Sequence, residues 1–331
     1  MKMFRYCAVV VVLLMLWLPR SAAAQTPEPV RFRLDWAAVI GYHGPFYLAL
    51  ERGYYRDANL AVEILEGKGS GSTVQLVGNG VDTIGFADLA VAARSIGAGV
   101  PIKSIMGIIR RSPAAVVFPA DRGITTPQDL KGRTLVTCAG QAAGVLLPAY
   151  LRAVNLSPGD VKLVVTDCGA IYRLIVEGKA DAATGFGPGS KTEFSRLGVR
   201  DTRQFDYADV GILLPSHGLI AAVKTIESKP EVMRGFVAAT TRGWLEARKN
   251  PEAAIEALVK AKPLLKGQEA SLRADLEGYM RYTSSPGTER SPFGWQSPDE
   301  WKRAEGILVQ YLELKAQAST DAYFTNEFVT K

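Results

Sequence analysis

Histidine and cysteine are nearly absent from this chain: its 331 residues hold two of the first and three of the second. That scarcity excludes a Cys/His metal cluster, because structural zinc takes four such ligands at short spacing, and no metal site is expected. Neither His43 nor His217 stands near a Gly-x-Ser-x-Gly elbow or an active-site cysteine pattern, so no catalytic residue is assigned. His217, in Pro215-Ser216-His217-Gly218 before an apolar strand, reads as structural. A Lys/Arg cluster and basic-aromatic interleaving are also missing, so the net charge of +6 implies no nucleic-acid partner. Past the first 18 residues, no apolar run approaches the roughly 20 residues that a transmembrane helix needs.

The first 24 residues read as a secretory leader. Lys2 and Arg5 give a positive start, Cys7 to Leu18 is an apolar run too short to span a bilayer, and Ala22-Ala23-Ala24 offers small residues for cleavage before Gln25. Cys7 has no small-residue lipid-attachment context, so the expectation is a soluble protein exported to the periplasm. Losing Lys2, Arg5 and Arg20 with the leader leaves a mildly basic mature chain of about 300 residues, a length that suits two compact units.

Beyond the leader, β-like and helix-like segments alternate as in a doubly wound α/β fold. Strands are expected at 60–65, 83–86, 103–109, 115–119, 134–137, 161–166, 180–184 and 219–223. Helices are expected at 72–77, 89–96, 142–154 and 172–177, with a helix opening at Thr126, Pro127 and Asp129. From Lys229 onward the pattern is helical, at 230–249, 251–260, 268–282 and 298–316, and this tail is expected to pack on the first unit.

The richest stretch is LDWAAVIGYHGPFYLALERGYY, Leu34 to Tyr55. A strand over Val30 to Leu34 meets a break at Gly41 to Gly44, and Pro45 opens a helix for which Gly53 is a suitable end. Asp35, Trp36, Tyr42 and His43 are thereby left at the carboxyl end of a strand, where open α/β sheets bind ligands. Trp36 and Phe46 read equally well as core residues. Cys138 and Cys168 each follow a β-like run, and their pairing as a disulfide or persistence as free thiols is open. An internal echo links LVGNGVDTIGF, Leu76 to Phe86, with LIVEGKADAATGF, Leu174 to Phe186. Gly with Asp makes a serviceable turn before any strand. The functional alternative is that Phe86 and Phe186 face each other across a cleft.

These two segments, together with the Leu34 stretch and TTPQDLKGRTLV, resemble in order and spacing the periplasmic solute-binding proteins of ABC importers for nitrate, taurine, alkanesulfonates and thiamine-precursor pyrimidines. The resemblance implies a type II periplasmic binding fold, α/β, with two doubly wound lobes. Lobe one would span 30–115 plus 222–331 and lobe two 116–221, joined by a two-crossing hinge near 115–119 and 219–223. It implies no chemistry and no cofactor; the expected partners are a small solute and an ABC permease with its ATPase, and the protein is expected to be a monomer.

Carried onto this sequence, the family's ligand-facing positions are Asp35, Trp36, Tyr42, His43 and Phe46, then Gly71, Ser72, Phe86 and Ala87, then Gly140, Gln141, Phe186 and Glu193. Taken alone, Ser72 reads first as a plain helix cap and Glu193 as helix surface, and Gln141 has a solvent-facing alternative. Leu34-Asp35-Trp36 resembles the pyrimidine-binding members most, and favours an aromatic solute over an alkanesulfonate, taurine or nitrate. Two other classes remain: a periplasmic sensor domain that hands its solute to a receptor, and an enzyme. A yeast branch of the fold makes the thiamine pyrimidine from its own histidine, with a cysteine cluster and iron; this chain carries no such cluster.

Overall fold

The computed structural model describes residues 26–36, 39–285, 288 and 290–330. The expected leader lies outside the described residues. Among them are ten strands: β1 Glu28–Arg33, β2 Leu60–Leu65, β3 Ile84–Asp88, β4 Ile102–Gly107, β5 Ala114–Pro119, β6 Thr134–Cys138, β7 Lys162–Thr166, β8 Ala182–Phe186, β9 Thr202–Asp206 and β10 His217–Ala222. They form two five-stranded sheets, ordered β2-β1-β3-β10-β4 and β7-β6-β8-β5-β9. In each sheet four strands run the same way and one, β10 or β5, runs antiparallel, hydrogen-bonded on both sides.

The order explains the sequence echo. β3 and β8, which close the two repeated segments, are the central strands of their sheets. Gly80 and Gly178 precede them with φ of 71° and 73°, a left-handed turn that glycine adopts without strain. The aspartate of each copy pins the neighbouring strand: Asp82 takes Arg33 Nε at 2.7 Å and Arg31 Nε at 3.2 Å, and Asp181 takes the Thr134 N–H at 2.8 Å. Val30 and Phe32 of β1 point the other way and are buried.

The helices are α1 Gly44–Glu51, α2 Tyr54–Asp57, α3 Ser70–Gly78, α4 Leu89–Gly97, α5 Ala142–Ala153, α6 Ile171–Val176, α7 Gly187–Arg196, α8 Val223–Ser228, α9 Pro230–Lys249, α10 Pro251–Ala261, α11 Glu269–Met280 and α12 Pro298–Leu312. In the core beside the first sheet, the Phe32 ring lies 5.0 Å from both Phe46 and Phe236, edge to face. α9 and α10 pack on α1, as a tail finishing the first unit should. α11 also reaches α7, and α12 reaches α5, so the tail touches helices of both sheets.

Three expectations change. The segments 115–119 and 219–223 are not the crossings; as wholly buried strands they belong to the second and first sheets. The chain passes between sheets at residues 108–113 and 207–216 instead. The helix opening at Thr126 is only a 3-10 turn, Pro127–Leu130, because Gly132 follows at φ 77°. β9 lacks an apolar pattern, being a partly exposed edge paired to β5, and no strand was expected there. Cys138 and Cys168 form a disulfide with Cα atoms 5.0 Å apart. Closing the loop between cysteines 30 positions apart constrains the unfolded chain by roughly 3 to 4 kcal/mol, and the bridge anchors the strand end that leads to Gln141.

Candidate functional site

A hollow opens between the sheets at the carboxyl ends of the parallel strands. It encloses about 610 Å³ counting its mouth. Asp35, Trp36, Tyr42, Ser70, His217, Asp275 and Tyr279 line it from the first-sheet side. Gln141, Ala142, Tyr172, Phe186, Ser190 and Glu193 line it from the other. The starts of α3, α5 and α7 converge there through Ser70, Ala142 and Gly189. A helix start favours an acceptor by about 0.3 to 1 kcal/mol, although that of α3 already spends its Gly71 N–H on Gly140 O.

The floor is a buried carboxylate with three donors. Asp35, 4% exposed, takes the Tyr42 hydroxyl at 2.5 Å, His43 Nε2 at 2.9 Å and His217 Nε2 at 3.0 Å. Burial alone would raise its pKa, but the two histidines outweigh that and hold it well below the usual carboxylate range. The tautomer of His43 follows from its neighbours. Its Nδ1 lies 3.1 Å from the Ile40 N–H and must accept, so Nε2 carries the proton given to Asp35.

His217 extends this chain of hydrogen bonds. Its Nδ1 faces Ser216 Oγ at 3.0 Å, and that hydroxyl lies 3.1 Å from Asp88 Oδ2. One hydroxyl proton cannot serve both neighbours. Burial raises the Asp88 carboxyl, whereas His217 and the N–H groups of α4 oppose that.

Above the floor, the walls are aromatic. Tyr42 stacks on Tyr279 with ring centroids 4.3 Å apart, and Phe186 meets the His217 ring edge-on at 5.2 Å. Trp36 is half-buried and packs against the apolar cluster of Ala115, Val136 and Phe194, on the opposite side. Gln141 turns its Oε1 to Thr137 and Thr184, leaving its amide N–H₂ group free of those bonds. Its expected solvent-facing alternative does not hold, because only 7% of it is exposed.

Of the residues expected to face a ligand, Asp35, Trp36, Tyr42, Gln141, Phe186 and Glu193 line the hollow. His43, Phe46, Phe86 and Ala87 do not: all are fully buried beneath it, as apolar packing and as the second support of Asp35. Phe86 and Phe186 do not meet across the cleft, because the His217 ring lies between them at 5.0 and 5.2 Å. Gly71, Ser72 and Gly140 serve another purpose. The Gly71 N–H bonds to Gly140 O at 3.3 Å, and a Cβ on Gly69 would come within 3.0 Å of Gly140, so glycine lets the two sides touch. Ser70 lines the hollow in place of Ser72.

Sequence reasoning missed His217, Asp275, Tyr279, Tyr172 and Ser190. For His217 no local pattern exists, since its contact to Asp35 depends on β10 pairing His217 opposite Asp88. For Asp275 a signal was present: Leu272, Asp275, Leu276 and Tyr279 share one buried face of α11, where an acid among apolar positions marks a site.

The chain is similar along nearly its whole length to proteins of named function. The riboflavin-binding protein RibY of Chloroflexus aurantiacus is 25% identical over 323 residues, 94% of this chain and 89% of that one. The formylaminopyrimidine-binding protein of Halalkalibacterium halodurans is 26% identical, over 94% and 96%. The 4-amino-5-hydroxymethyl-2-methylpyrimidine phosphate synthase of Legionella pneumophila is 27% identical, over 74% and 77%. In structure, the alkanesulfonate-binding protein SsuA from Xanthomonas axonopodis pv. citri superimposes with a TM-score of 0.70 at 15% identity, over 91% of this chain and 99% of that one. That likeness shows the periplasmic binding-protein fold. Residues 40–254 match the family described as NMT1/THI5 like, and the chain belongs to that family.

Proposed function

We propose that this chain captures a neutral or cationic heteroaromatic solute, pyrimidine-like in its ring, and delivers it unaltered to an ABC permease. The observation that carries the reading is the make-up of the hollow. Asp35, Asp275 and Glu193 line it along with the rings of Trp36, Tyr42, Tyr279 and Phe186, and its lining residues include no lysine or arginine. Carboxyl groups repel a sulfonate or nitrate and accept from ring amines, while a flat ring stacked on an aromatic wall gains about 0.5 to 1.5 kcal/mol beyond its buried area. The pyrimidine- and riboflavin-binding relatives support the same choice.

Binding without conversion fits the side chains. Both mature thiols are joined in the disulfide, and both histidines are held on Asp35, so neither thiols nor imidazoles are presented to the solute as nucleophiles. The leader would send the chain to the periplasm. Two lobes centred on the two sheets would swing about residues 108–113 and 207–216, and a solute touching both would stabilise the closed form by its differential affinity. Micromolar affinity, about −8 kcal/mol, suffices.

A thermal-shift panel on the mature protein tests the solute class. Riboflavin and 4-amino-5-hydroxymethyl-2-methylpyrimidine are expected to raise the melting temperature, since a ligand at 100 times its Kd stabilises by about 2.7 kcal/mol. Nitrate, taurine and alkanesulfonates are expected to leave it unchanged. Stabilisation by the anions alone would overturn the reading.

A further inference from the structure

Asp275 lies outside the Asp35 network and faces the opposite side of the cleft. Its Oδ2 accepts the Tyr42 N–H at 3.2 Å, but its Oδ1 has no hydrogen-bond partner, and the residue is 1% exposed. What seals that oxygen is α7, which starts beyond β8: a Cβ on Gly189 would sit 3.6 Å from Oδ1. A bare carboxylate oxygen in such a place is unfavourable, whereas a carboxylic acid there is not.

Among the described residues the cation that acts on it, Arg196, is already paired. On α7, Glu193 and Arg196 face Asp275, but their side chains bond to each other at 2.5 Å. The turn of residues 41–43 presents Tyr42 and His43, both already donating to Asp35. Tyr279 on α11 and Tyr172 on α6 are neutral phenols, and on α10 Glu252 pairs with Arg273. Burial pushes the Asp275 carboxyl up to about 7, with the Tyr42 N–H and the Arg196 charge opposing and the Glu193 charge adding to it.

We propose that Asp275 is a proton-taking recognition group of the cleft: its carboxyl enters the closed form uncharged, so closing over a solute takes up one proton from solvent. The inference rests on the reading that the cleft closes on a solute. When α7 swings away, the carboxyl meets water and ionises near its ordinary value of about 3.9. Closure is then favoured at low pH, and that advantage is lost as pH rises through the closed-form value.

The test is Asp275→Asn, which keeps the neutral shape and cannot ionise, with riboflavin as probe because its charge is constant over the range used. In the native protein the dissociation constant is expected to be about thirtyfold lower at pH 5.5 than at pH 8.0, and nearly constant in the variant. Calorimetry of the native protein in two buffers of unlike ionisation enthalpy is expected to count close to one proton taken up near pH 6. Equal pH dependence in both proteins would overturn the proposal. If riboflavin does not bind at any pH, that solute fails, and the proton claim is read from the unliganded proteins. There small-angle scattering is expected to show the native protein more compact at pH 5.5 than at pH 8.0 and the variant equally compact at both, and the same response in the two proteins would overturn it.

Discussion

Asp35→Ala is expected to lower stability by about 3 to 5 kcal/mol and to abolish solute binding. Removing one partner of a buried charged network leaves the others uncompensated, and here three donors lose their acceptor at once: Tyr42 Oη, His43 Nε2 and His217 Nε2. The effect carries a pH signature. The folded-state pKa of Asp35 is depressed, so its contribution is complete above the unfolded value of about 3.9 and is lost progressively as pH falls below it. Urea unfolding at pH 7 and at pH 3 reads both parts: the gap between native protein and variant is expected to shrink in acid. A loss under about 1 kcal/mol at pH 7 would show that the three donors find other partners.

Trp36→Ala is expected to act in the opposite way, weakening an aromatic solute at least tenfold while leaving the unliganded melting temperature almost unchanged. Trp36 is half-buried, stands on the connection after β1 and lines the hollow, so truncation removes stacking surface more than core. Its packing against the apolar cluster of the second-sheet side adds to the effect, because that packing bridges the cleft. Paired calorimetry and thermal unfolding check this. A large loss of unliganded stability would mark Trp36 as core.

The contrast between these two residues shows how far sequence reading reaches. Its reach is longest where a pattern is local. The apolar-basic alternation of β1, the Pro45 opening of α1 and the Gly-Asp turns before β3 and β8 are set by neighbours in the chain, and each stands where expected. The fold followed, because alternating strands and helices allow few topologies. The site was legible only as a neighbourhood. Asp35, Trp36 and Tyr42 were placed by the strand end that carries them, but the roles of Asp35 and His43 depend on His217, which strand pairing brings from 182 positions away. Phe86 and Phe186 were both read as cleft residues from equivalent sequence positions, yet one is packed under His217 and the other over it. Sequence equivalence fixes the strand position, while tertiary contacts decide which side chain is covered. Asp275 shows the same limit, since its meaning comes from α7 closing over it.

Equilibrium dialysis of the mature protein against riboflavin and 4-amino-5-hydroxymethyl-2-methylpyrimidine, with mass spectrometry of what is recovered, tests the central claim directly. One solute molecule per chain, released chemically unchanged on unfolding, is the expected result. Recovery of a converted product, or full occupancy in Trp36→Ala and Asp35→Ala, would contradict capture without chemistry in this cleft.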